Sequence, residues 1–150
     1  MNHLGIIWDE YENNFDQALH YYQRALRLDS TDQTSINLAV GYFNNEDYEK
    51  AQHIFLQKIT NGTKDYRPSY YLGLLARDLT IDLEKAADWF NQSLKIDPGN
   101  FLITMDLVDL YMNQMKKVHL IPPLLEQLSE KNPDDPVIKA YIQEMKQHLP

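Results

Sequence analysis

A period of about 34 residues runs through this chain and limits its fold more than any single motif does. Ala18, Ala51 and Ala86 stand 33 and 35 residues apart, and an aromatic follows each of them four positions later: Tyr22, Phe55 and Phe90. An upstream column repeats in the same way. Its leucines are Leu4, Leu38, Leu72 and Leu107, in "HLGIIW", "NLAVGY", "YLGLLA" and "DLVDLY", with gaps of 34, 34 and 35. Two independent columns sharing one period mark an internal repeat. A unit of this length cannot bury an apolar face alone, so several must stack to create a core.

Within each unit the spacing is helical. The small residues Gly73, Ala39 and Ala86 let helix backbones approach closely, and Leu72, Tyr42 and Phe90 fill the spaces between. Asp47 and Asp82 stand where N-caps belong. Pro68, Pro122 and Pro123 suit a first helical turn, and Asn61-Gly62 and Pro98-Gly99 read as stops. The pattern predicts helices at about 1–12, 15–29, 33–44, 47–60, 68–79, 83–96, 101–114, 120–131 and 135–148. The ninth carries Val137, Ile138, Tyr141, Ile142 and Met145 on one face and polar residues on the other, as expected of a helix that closes a stack.

These columns resemble the tetratricopeptide repeat (TPR) family, whose helix pairs carry W-x2-L-G-x2-Y in the first helix and A-x3-F, then proline, in and after the second. Leu4-Gly5 and Leu72-Gly73 match the L-G pair, Tyr42 and Tyr111 the tyrosine, Ala51/Phe55 and Ala86/Phe90 the A-x3-F step, and Pro98 and Pro133 the proline. The family's tryptophan is absent from every unit, and Ile121 and Leu125 replace alanine and phenylalanine in the fourth. The third unit is also similar to Sel-one-like repeats. The resemblance implies an all-α, right-handed superhelix of αα-hairpins: a single domain with repeats at about 1–31, 32–65, 66–100 and 101–133 and a capping helix at about 135–148.

Composition narrows the function. No cysteine is present, which excludes disulfides, thiolate metal sites and thiol nucleophiles and fits a reducing, cytoplasmic setting. The formal net charge is −8, and the only adjacent basic pair is Lys116-Lys117, so nucleic acid is not the expected partner. No apolar run reaches the length of a membrane span. His20 and His53 occupy equivalent outward positions in successive units, and neither they nor the other histidines have metal-ligand spacing. Asp106 and Asp109 share a helix face, but no second catalytic element converges on them. The expectation is a chain that is not an enzyme and needs no cofactor or metal.

The resemblance implies a concave groove lined by the first helix of each pair. Its residues are those that the packing columns leave over. They are Ile36, Asn37, Val40 and Phe43 in the second unit, Arg67, Tyr70, Tyr71, Leu74 and Arg77 in the third, and Met105, Asp106, Asp109 and Met112 in the fourth. An apolar strip framed by charge points to a site for a peptide or helix of another protein. TPR domains that grip a chaperone's terminal carboxylate use a set of lysine, arginine and asparagine groups. Here only Asn37 matches; Arg67 stands in for one lysine, and Asn2, Ile6 and Tyr71 replace the rest. An asparagine ladder is not matched either, because that column reads His3, Asn37, Tyr71, Asp106. The alternative is a structural segment of a longer array, or a scaffold self-associating through its N-terminal edge.

Overall fold

The computed structural model describes residues 15–28 and 31–149, with the backbone alone at Phe15 and Asp16. All regular structure among these residues is helical. In chain order the helices are α1 (Phe15–Leu28), α2 (Asp32–Asn44), α3 (Tyr48–Thr60), α4 (Arg67–Asp78), α5 (Leu83–Ile96), α6 (Phe101–Asp109), α7 (Ile121–Lys131) and α8 (Pro136–His148). A π-turn, Leu110–Gln114, prolongs α6, and a single 3₁₀ turn, Val118–Leu120, precedes α7. The helix expected at 1–12 lies outside the described residues. The chain forms two compact units, Met1–Leu72 and Gly73–Pro150, with the division inside α4.

The helix starts follow local chemistry. The side chain of Thr31 accepts from Thr34 N–H at 3.2 Å, that of Asp82 from Lys85 N–H at 3.1 Å, and that of Asn100 from Ile103 N–H at 3.2 Å. Asp135 accepts from both Val137 N–H and Ile138 N–H. Each bond satisfies an amide that the first helical turn leaves without a partner. Asp47 departs from expectation. It holds the N-cap position of α3, but its carboxylate makes no cap bond and takes the Lys50 ammonium instead.

In the first unit α2 packs on both α1 and α3. Ala18, Ala39, Ala51 and Phe55 are wholly buried, as their columns require. Ala18, Tyr22 and Leu38 form a core cluster against which Leu19, Leu26, Tyr42 and Ile54 pack. Lys58 reaches Asp32 at 3.1 Å, tying the end of α3 to the start of α2.

In the second unit α5 packs on α6, α6 on α7 and α7 on α8. Ala86, Phe90, Leu107, Ile121 and Leu128 are wholly buried. Gly73 is small for a reason: a Cβ there would lie 2.5 Å from Phe90 Cε1. Helix α8 buries Ile138 and Ile142 but leaves Val137 63% exposed, so its apolar face is narrower than the sequence pattern predicts. The alternation of helices packed on their neighbours is that of an all-α helical repeat.

One repeated feature has no glycine to announce it. Glu46, Ile81 and Lys116, spaced by 35 residues, all have positive φ, at 62°, 54° and 57°. Each lies in the turn that follows the first helix of a pair. The next residue then donates its N–H back to the tyrosine column: Asp47 to the Tyr42 carbonyl at 2.9 Å, Asp82 to Ala76 at 2.8 Å and Lys117 to Tyr111 at 2.8 Å. These bonds satisfy carbonyls at a helix end that would otherwise need water.

Candidate binding surface

The residues expected to line a groove divide between the two units. In the first unit Ile36, Asn37 and Tyr70 are buried, and Val40, Phe43, Arg67 and Tyr71 are partly exposed. The Asn37 side-chain oxygen accepts from Gln33 Nε2 at 3.1 Å and from Arg67 Nη1 at 2.8 Å. Arg67 is held by more than this. Its Nη2 donates to Asp65 Oδ2 at 2.6 Å and its Nε lies 3.0 Å from Asp65 Oδ1, which also accepts the Arg67 backbone N–H at 2.9 Å. The guanidinium therefore fastens α4 to α2 across 30 residues. Beside it a cleft of about 830 Å³ opens between Thr31–Gln33 and the loop Gly62–Tyr66.

Tyr71 sits inside an aromatic array. Its ring stacks on Phe55 at 5.3 Å with an interplanar angle of 9°, and meets Phe43 edge-on at 4.8 Å and Tyr70 at 5.6 Å. Phe43 continues the array to Tyr48 at 5.5 Å. Phe55 belongs to the wholly buried column, so Tyr71 shares in the packing as well as showing part of its surface.

In the second unit Leu74, Arg77, Asp106 and Met112 are partly exposed, whereas Met105 and Asp109 are exposed. Arg77 forks onto Asp78, with Nε to Oδ1 at 2.6 Å and Nη2 to Oδ2 at 2.9 Å, and sends Nη1 to Asp106 Oδ1 at 2.9 Å. It also lies over the Phe90 ring, 5.9 Å from its centre. The bonds to Asp78 and then Asp106 hold its pKa above the ordinary guanidinium value, against the opposing effect of burial. Asp109 accepts from Asn113 Nδ2 at 2.6 Å. Arg77 thus holds Asp106, and Asn113 holds Asp109.

Sequence reasoning missed two contributors to this face. Tyr141 of α8 packs edge-on against Phe101 of α6 at 5.1 Å. Its hydroxyl is pushed up to about 12, first by burial and then by the negative charges of Asp109 and Glu144. Leu102, one turn before Met105, is 54% exposed, and Met105 is 39% exposed. Positions 102, 105 and 109 share one side of α6, opposite the wholly buried Ile103, Leu107 and Leu110.

His20 and His53 are both exposed. Among the described residues no three His, Cys, Asp or Glu side chains gather as a metal site, and no helix is long and apolar enough to cross a membrane. No family model matches the chain, and no curated protein matches it.

Proposed function

We propose that the chain is a non-enzymatic, TPR-like interaction module that binds a peptide or helix of another protein. The observation that carries this reading is α6. A helix that buries Ile103, Leu107 and Leu110 on one side has no folding reason to show Leu102 and Met105 on the other. Leucine and methionine beside a carboxylate, Asp109, are the kind of surface a partner helix or strand covers, with apolar contact supplying affinity and charge supplying orientation. The repeated columns and the repeated helix-end hydrogen bonds support the family likeness, because the second, third and fourth repeats close their hairpins by the same device. The absence of cysteine suits a reducing, cytoplasmic setting.

The test is identification of a partner by affinity capture, followed by titration of the purified pair. Leu102→Asp combined with Met105→Asp should weaken binding tenfold or more, as expected when an apolar patch of this size is charged, with an unchanged melting temperature. Unchanged affinity in a folded double variant would remove α6 from the interface.

A further inference from the structure

A second cleft, of about 610 Å³, lies in the first unit and shares no lining residue with the surface described above. Its apolar lining is Leu38 and Tyr42 of α2 and Ile54 of α3; its polar lining is Asp47, Glu49, Lys50 and His53. The volume falls within the range of pockets that hold a small ligand or an anchoring side chain, about 300–1,000 Å³. The charges on the rim do not cancel. Lys50 pairs with Asp47 and also feels the charge of Glu49, so one cation faces two carboxylates, and Glu49 enters none of the ion pairs among the described residues. The Lys50 ammonium also stands 5.2 Å from the centre of the Tyr42 ring. The ring face is therefore a place where a cation already rests, and cations over tyrosine faces are attracted electrostatically.

We infer that this cleft is a docking pocket for a partner polypeptide presenting an apolar or aromatic side chain next to a lysine or arginine. The apolar side chain would cover Leu38, Tyr42 and Ile54, and the cation would face Glu49. The inference rests on the reading of the chain as a protein-binding module but uses neither α6 nor any residue of the other surface. Lys50 is the internal competitor in this arrangement. It neutralises Asp47 and stands over the Tyr42 ring, so removing its charge leaves the rim more negative for the incoming cation and the ring open to the apolar side chain.

The experiment is a titration of the full chain, observed by amide NMR, with Ac-Phe-Arg-NH₂; Ac-Phe-Gln-NH₂ and Ac-Ala-Arg-NH₂ are the controls. Saturable shifts at Leu38, Tyr42 and Ile54 are expected with the first peptide, with a Kd on the order of 1 mM for so small a probe. Each control should bind at least threefold more weakly. Glu49→Gln should weaken the first peptide about threefold, and Lys50→Gln should strengthen it by a similar factor, the range of an exposed ion pair. Both residues are exposed on α3, so Glu49→Gln should leave the melt unchanged, and Lys50→Gln, which gives up only an exposed pair with Asp47 and its place over Tyr42, should shift it little. Absence of saturable shifts at these residues, equal binding of the glutamine control, or two charge variants that change affinity in the same direction would each overturn the proposal. Capture of a partner that responds to Leu102→Asp/Met105→Asp and ignores Glu49→Gln would keep the interaction module and discard this pocket.

Discussion

Arg77 and Asp106, 29 residues apart, join α4 to α6 through a single 2.9 Å bond. Arg77 is the shared member of this arrangement, because Asp78 holds the other edge of its guanidinium. Both side chains of the pair are mostly shielded from water, at 18% and 22% exposure. Loss of Asp106 therefore leaves Arg77 charged and still paired once, which limits the damage.

Asp106→Ala should cost about 1 kcal/mol, the scale of one hydrogen bond to a charged group after solvent screening. Arg77→Ala should cost more, because the guanidinium also covers Phe90. A double-mutant cycle in urea should return a coupling of about 0.5–1 kcal/mol between the two positions. A coupling near zero would show that the bond contributes nothing to stability.

Ile81 should be better replaced by glycine. It is a β-branched residue at φ 54° and is 73% exposed, so its side chain strains the backbone and buries little. Left-handed geometry costs an L residue about 1–2 kcal/mol, and glycine loses about 0.5–1 kcal/mol of that gain through its freer unfolded chain. Ile81→Gly should therefore raise stability by about 0.5–1 kcal/mol in a urea titration. Gly62→Ala, the reverse change at φ 74°, should lower it by a similar amount.

Tyr71→Ala should be costly to the fold, contrary to what its place on the expected groove implies. The ring stacks on Phe55 and supports Phe43. Truncation removes both contacts and leaves a void beside a wholly buried phenylalanine, which should cost about 2–4 kcal/mol. Tyr71→Phe keeps the stacking and should cost less than half as much. Binding tests on this face need the phenylalanine variant as the folded control, with thermal melts recorded alongside.

Tyr141 should make the chain sensitive to alkali. Its pKa stands at about 12 in the folded protein, against about 10 for an unfolded tyrosine. The folded state thus holds the phenolic proton over a range where the unfolded state releases it. The stabilisation is complete below about pH 10 and is lost as the pH climbs toward 12. Tyr141→Phe should flatten the fall in melting temperature between pH 9.5 and 11.5 relative to the wild type, about 10 being the onset. Asp109→Asn should reduce the slope by removing one of the nearby charges. Identical slopes in all three proteins would exclude Tyr141 as the source.

The repeat was legible because its causes are local. Ala18, Ala51 and Ala86 are wholly buried at the places their 33- and 35-residue spacing implies. The helices that carry them begin and end close to the positions set by caps, prolines and apolar periodicity. Side-chain size and a 3.6-residue turn decide such features within a single helix. The polar contacts had no comparable signal. Arg67 finds Asn37 across 30 residues and Arg77 finds Asp106 across 29, and each bond depends on which rotamers meet once neighbouring helices have packed. The same holds for Tyr71, whose spacing marks a helix face but not the stack on Phe55. Ile81 shows the limit most plainly. No local preference favours a β-branched residue in left-handed geometry, and only the closing of the hairpin, with Asp82 bonded back to Ala76, holds it there.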